Sequence, residues 1–506
     1  MFLIQNIIKR NTLLGVSFLF INGLCFGKSH FQMTENCLKS QTYIYELKVN
    51  DALKLLDDEQ KKTPNNLAIY WLKEHLFFIT HFVNENEVLF KAEEHKWSQY
   101  LYNVENSKFE DPWKRFIMSD MYLHRAILKT VFNDHLSAGN DIKKANKLLN
   151  ENEKKYPSFL PDNKNLGIIY IAASSLPKNY QWIANVLGFE GSMDKGVNLI
   201  ETYLKSPLKD NEHQWMKTET AFMYAMVQHH LLKKTDDAWK TINEYTKNYK
   251  GFPLLIYMRT IVANYAGKND ESIAVLSSKP SNLSLQLPFY YLDYLLGLAK
   301  LKRLDSDADV YFKIFTTKYK GKNYIKSAYR YLAWYNIVFD KGSIANTYYL
   351  ICLKSGQLQQ EEDKQAEKEA KESIRWPSEI LKPRLLFDGK YYKESLNLLE
   401  KIDLLTYKEV KFKLEILYRM ARIYQETKME DKAIVNFKKT IDLGKNETYY
   451  YAAYSSLQMG LIYEQQNKKT LALQYFNSAK NDFKNNEEYK NSIEQKAKAG
   501  IKRLKK

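Results

Sequence analysis

The chain has 506 residues, a formal net charge of +17 and only 18 glycines and 11 prolines. That is about half of the roughly 12% share these turn formers usually hold. It excludes collagen-like, linker-like and many-turned β-sandwich architectures, and it predicts long helices with short connections. With 38 tyrosines, 25 phenylalanines and 8 tryptophans, the chain is too aromatic to be disordered.

Lys9 and Arg10 precede an uncharged, apolar run from Thr12 to Ile21, and Gly27 follows shortly after. A basic stretch, a short apolar stretch and small residues make a secretory signal peptide over residues 1–27. A membrane-spanning helix wants roughly 20 apolar residues, and this run is shorter. Cleavage near Gly27 is therefore expected. The mature chain is expected in the periplasm or peripherally on the outer membrane. Leu24 stands before Cys25, where a lipid-modified cysteine would need a small residue. Cys37 and Cys352 then remain, which is no disulfide framework.

Residues 28–250 read as a helical region with degenerate repeats, in which Tyr43, Ala52, Leu56 and Pro64 hold the positions of one repeat. All nine histidines fall at or before His230. None makes a zinc-like spacing with cysteine or a second histidine. His75 and His81 are six apart and share no helical face, so each histidine reads as an ordinary helix residue. Acidic pairs such as Asp57-Asp58 and Glu487-Glu488 read as helix surface. Neither catalytic, metal-binding nor cofactor-binding residues are expected, and no enzyme activity.

Residues 251–356 carry further degenerate hairpins. Gly267 to Ile273 resembles an inter-helix turn, and Ala333, Ala345, Tyr349 and Cys352 keep a 12–4–3 spacing. Residues 357–376 alternate Glu and Lys at helical spacing, which suits a solvated helix or linker.

Residues 377–506 hold the clearest periodicity. Ala421, Tyr424, Ala433, Phe437 and Thr440 recur 39 residues later as Gly460, Tyr463, Ala472, Phe476 and Ala479. A small residue lets two helices approach, an aromatic fills the gap, and alanines seat the next hairpin. A lone hairpin leaves one apolar face wet, so neighbours must stack. This pattern resembles the tetratricopeptide repeat, with an insertion near Gly444. The resemblance implies an all-α solenoid of antiparallel helix hairpins wound as a right-handed superhelix.

A second resemblance rests on Leu166-Gly167, Leu176-Pro177, Gly188-Phe189, Gly191, Asp194 and Gly196. This text is similar to the family of tetratricopeptide repeat protein 39 and the mitochondrial outer-membrane inclusion-clearance protein. That family has an acidic residue directly after its second glycine, where this chain has Ser192. The resemblance implies a non-enzymatic helical repeat protein linked to lipid biology. Locally, Gly188 and Gly191 are expected at positive φ and Ser192 as a helix cap.

Repeat phasing puts Tyr418, Arg422, Gln425, Tyr454, Leu461 and Glu464 on the concave surface, with Tyr449 and Tyr450 opening the second hairpin. These eight residues are the candidate partner-binding site for a protein or peptide. The last hundred residues, 407–506, carry 21 Lys and Arg against 12 Asp and Glu. This basic end could meet anionic envelope lipid or glycan, whereas export disfavours nucleic acid. The expected function is an exported, non-catalytic scaffold or adaptor. Its rivals are an envelope glycan- or lipid-binding repeat protein and a helical-toroid polysaccharide enzyme.

Overall fold

The structure, a computed structural model, describes residues 30–175, 191–208, 210–340, 342–486 and 488–505. The leader at 1–27, Leu176-Pro177, Gly188-Phe189 and Glu487 lie outside the described residues. Among the described residues there is no strand, only a bridge between His30 and Asn66. None of the described helices is long and apolar enough to cross a membrane.

The helices follow one another as hairpins. They are α1 (Glu35–Tyr45) with α2 (Val49–Lys62), α3 (Leu67–Asn84) with α4 (Glu87–Glu105), and α5 (Pro112–Val131) with α6 (His135–Lys155). Next come α7 (Asp162–Ser175) with α8 (Met193–Leu204), α9 (Asp210–His230) with α10 (Thr235–Tyr245), and α11 (Pro253–Tyr265) with α12 (Asn269–Ser277). Then α13 (Tyr291–Arg303) pairs with α14 (Ala308–Lys318), and α15 (Ile325–Val338) with α16 (Gly342–Lys354). An extra helix, α17 (Glu361–Lys371), packs on α15 and α16. The last pairs are α18 (Ser378–Asp388) with α19 (Tyr392–Leu399), α20 (Val410–Glu426) with α21 (Glu430–Gly444), and α22 (Tyr451–Gln465) with α23 (Lys469–Asn481). The chain closes with α24 (Lys490–Lys505), which lies against α22 and α23. This is an all-α solenoid of tetratricopeptide-like hairpins.

The turns share one device. In most hairpins the residue two before the second helix is left-handed, as at Leu47, Glu85, Asn133, Lys233, Asp340, Lys390, Lys428 and Asn467. The following N–H often reaches back five residues, as from Lys48 to the carbonyl of Tyr43 and from Lys468 to that of Tyr463. That bond satisfies a carbonyl left over at the helix end, in the manner of a Schellman turn. Among the described hairpin turns, only that at Gly267 uses the glycine that this conformation favours. Gly191 does not take positive φ as expected. It is needed for close approach, because a Cβ there would sit 2.3 Å from the Ser174 nitrogen. Ser192 does cap α8, accepting from the Lys195 N–H at 3.2 Å.

The repeat residues pack as their spacing predicts. Ala421, Ala433, Phe437, Thr440, Ala472 and Phe476 are fully buried. One apolar core runs from Cys37 to Ile423, and a second fills α20 to α24, with α20 feeding both. The charged segment at 357–376 contains a helix, one of its two expected forms, but that helix is solvated on one side only. Asp363, Ala366, Glu369 and Ala370 are buried along one face of α17. Asp363 accepts from the backbone N–H groups of Tyr324 and Ser327, at 2.6 and 2.9 Å. It thus caps α15, a helix some forty residues upstream, where the free N–H groups of a helix start need an acceptor.

His81, on α3, is buried between Phe77 and Phe90, and burial pushes its pKa down to about 4 against the lift of Glu93 at 3.3 Å. The folded chain therefore keeps His81 neutral while the unfolded chain protonates it below its ordinary pKa near 6.5. Stability from this group is full above pH 6.5 and declines as the pH falls toward 4, by up to about 3 kcal/mol. Urea unfolding of wild type and His81→Leu across that window should show a steeper pH slope for wild type. Parallel slopes would refute the assignment.

Candidate functional site

The first helices of successive hairpins in the C-terminal half carry the predicted site. Tyr418 on α20 is only 5% exposed, with ring centroids of Tyr450, Tyr451 and Tyr454 at 5.6 to 6.3 Å. Arg422 lies one turn on, donating to Tyr418 Oη at 3.5 Å and to Glu426 at 2.7 Å. Gln425 donates to Gln458 at 3.1 Å across to α22. With Glu426, Lys428, Ile462 and Gln465 it lines a pocket of about 380 Å³. Tyr418, Arg422, Gln425, Tyr450 and Tyr454 thus lie in neighbouring positions along α20 and the start of α22.

The other three predicted residues sit apart from that group. Tyr449 is half-buried, with the Lys411 ammonium 5.7 Å from its ring. Leu461 is half-buried against the C-terminal core. Glu464 is held by Arg503 of α24 through bonds of 2.8 and 2.6 Å, and Lys496 of α24 donates to Tyr454 Oη at 2.9 Å. The last helix therefore occupies one edge of the predicted surface. It also engages part of the basic tail.

Sequence reasoning missed the arginines beside these tyrosines. Arg419 on α20 donates to Glu415 at 2.6 Å and to Asp388 of α18 at 2.9 Å. Tyr451 Oη donates to the other Glu415 oxygen at 2.7 Å. Burial alone would raise the Glu415 pKa, but Arg419, Arg384 and the Tyr451 hydroxyl together bring it down to about 2. Arg384 of α18 and Arg330 of α15 each stand about 5 Å from the Trp334 ring centroid, at 4.9 and 5.0 Å. Glu369 of α17 fixes that indole, accepting from Trp334 Nε1 at 2.6 Å and from Tyr349 at 2.7 Å. Arg330 stands three residues before Ala333, as Tyr418 does before Ala421. Repeat phasing applied to the weaker echo would have found it.

The N-terminal half buries a second polar group that spacing also could not show. Asp120 accepts from Lys164 at 2.8 Å, Trp71 at 3.0 Å and Asn165 at 3.1 Å. His124 meets Glu74 at 2.9 Å and stacks on His75, with centroids 5.3 Å apart. His75 Nε2 lies 3.0 Å from Glu219, which also accepts from Tyr45. Burial lowers and the Glu74 and Asp120 carboxylates raise the His124 pKa, with a net shift upward. Glu219 is brought down to about 2, its desolvation outweighed by His75, Lys164 and His124. Five helices, α1, α3, α5, α7 and α9, meet at this knot, so the histidines and carboxylates here tie the solenoid together. Among the described residues no group of His, Cys, Asp and Glu is placed to hold a metal ion.

No protein-family model and no curated protein matches the chain. Among solved structures it is similar to the yeast Tom70 crystal structure, at 12% identity over 85% of this chain and 88% of that one, with a TM-score of 0.30. It is similar to an IFIT1 monomeric mutant with Gppp-AAAA, at 14% identity over 94% and 91%, TM-score 0.27. It is also similar to the APC/C hetero-tetramer Cut9–Hcn1, at 12% over 92% and 95%, TM-score 0.26. At such scores the likeness bears on neither function nor partner, and the fold class stands on the chain's own hairpin packing.

Proposed function

We propose that the chain is a non-catalytic scaffold that holds a protein or peptide partner along the inner face of its C-terminal half. The supporting observation is the run of Tyr418, Arg422, Gln425, Tyr450 and Tyr454 along α20 and α22 beside the Gln425 pocket. Tyr and Arg are enriched among residues that carry binding energy. Export rests on residues 1–27 alone. Kinship with the tetratricopeptide repeat protein 39 family rests on the text around Gly167 and Gly196. Those two glycines bring α7 and α8 together, since a Cβ on either would lie within 2.8 Å of the other's carbonyl oxygen.

The test is capture by the tagged mature protein from a solubilised envelope, compared with the Arg422→Ala, Tyr450→Ala double variant. A stoichiometric polypeptide retained by wild type and reduced at least tenfold with the variant is the expected result. Equal capture by both would overturn the groove assignment. Lipid or glycan in place of a polypeptide would favour the rival contact through residues 496–506.

A further inference from the structure

Arg330 and Arg384 carry more hydrogen-bond donors than their surroundings answer. Arg330 is 7% exposed, and among the described residues its one hydrogen bond is a 3.3 Å contact with the neighbouring Tyr331 hydroxyl, while its Nε has no partner. The Arg384 guanidinium makes no hydrogen bond among the described residues. Its nearest carboxylate oxygen, Glu415 Oε1, is 3.8 Å away and already takes the bond from Arg419. Glu369 is occupied by Trp334 and Tyr349 and forms no ion pair with Arg330. A guanidinium presents five donors in a flat fork. Withdrawing it from water without an acceptor is costly, and this applies to Arg330, whereas the Arg384 side chain keeps 20% of its surface exposed.

The surroundings suit a ligand that would supply that acceptor. Both cations stand at one indole, Trp334, and Arg384 also lies 4.9 Å from the Trp376 ring centroid. Arginine stacks on aromatic faces while its N–H groups remain directed in its own plane. Tyr489, at the start of α24 and 42% exposed, feels both arginines and forms an edge contact with Tyr450 at 5.3 Å. The extra helix α17 supplies Glu369, which holds the indole.

We propose that Arg330 and Arg384 form a receptor for a multiply charged oxyanion, paired carboxylates or a phosphate group, reached past Tyr489 and Tyr450. As the anchor for a partner lying in the C-terminal groove, it rests on the function proposed above. The oxyanion would accept in-plane from both forks, and such charge-assisted bonds are among the strongest available.

The test titrates the mature chain at constant ionic strength with inorganic phosphate, with a synthetic peptide bearing adjacent Asp and Glu, and with its Asn-Gln counterpart. Calorimetry reads wild type, Arg384→Gln and the exposed control Lys393→Gln. Saturable phosphate binding weakened at least tenfold in Arg384→Gln and unchanged in Lys393→Gln is the expected result. An acidic peptide that competes with phosphate, while its amide form binds at least tenfold more weakly, identifies the partner as the source of the anion. Phosphate binding without peptide binding keeps the receptor and removes the peptide groove. Peptide binding that is indifferent to Arg384→Gln and to phosphate keeps the groove and overturns the receptor. Because Arg384 also holds the buried Glu415 carboxylate ionised, its removal costs stability, so Arg330→Gln is titrated as a second variant and should weaken phosphate binding at least tenfold. Unchanged phosphate binding there would overturn the receptor.

Discussion

Replacing Lys164 by methionine should destabilise the chain by about 3–5 kcal/mol, the usual cost of removing one partner from a buried ion pair. Lys164 is 4% exposed and sits 2.8 Å from Asp120 and 3.7 Å from Glu219. Methionine fills the same volume, so the loss is electrostatic. Burial raises the Asp120 pKa, but Lys164, His124 and the Trp71 N–H reverse this and hold its carboxyl well below the usual range. Without the ammonium, three carboxylates face two imidazoles in a dry space. Adding Asp120→Asn should recover part of the loss, because the two groups are coupled. Urea unfolding of the double-mutant cycle measures this. A loss below about 1 kcal/mol for the single variant would show that water reaches the knot and screens it.

Phe476→Ala should cost about 3–5 kcal/mol, in the range of buried phenylalanine truncations. The ring is fully buried between two glycines, and a Cβ on Gly460 or on Gly500 would come within 2.6 Å of it. Gly500 falls 40 residues after Gly460, as Gly460 falls 39 after Ala421. Helix α24 is therefore the first half of another repeat. Losing the ring should loosen α22, α23 and α24 together. Because this core is separate from the larger one, hydrogen exchange should rise beyond about residue 450 and stay unchanged before residue 400. Uniform acceleration along the chain would contradict the separation.

The C-terminal repeats were legible because their packing needs a fixed size at a fixed position. Ala433, Phe437, Ala472 and Phe476 announce that need in one dimension. Upstream the same frame persists with other residues. Gly297, Ala308 and Phe312 pack as one such unit, a Cβ on Gly297 coming within 3.2 Å of Phe312. Its turn is one residue shorter, which hides it from a fixed period. The turns were hidden because the left-handed residue is a lysine, leucine, aspartate or glutamate more often than an asparagine. Tertiary packing meets the strain there that glycine would have avoided. Asp363 looked like solvated charge because its two acceptor bonds lie on a helix far upstream. The knot around Asp120 was invisible for the same reason: its members come from five helices, and spacing along the chain carries no information about their meeting.

Distant hairpins touch across the turns of the solenoid. The Leu287 N–H donates to the Leu47 carbonyl at 3.1 Å, Asn323 to Glu85 at 2.8 Å, and Gln359 to the Val131 carbonyl at 2.7 Å. Each link joins residues more than two hundred apart in sequence. A stack of hairpins held only by nearest neighbours behaves as an elastic coil, lengthening smoothly under tension and shedding units one at a time. Here the coil is stitched across its turns. Pulled from its ends, it should hold its length until the stitches fail together, and then yield abruptly over most of its first four hundred residues, leaving α22 to α24 to lengthen at a separate, lower force.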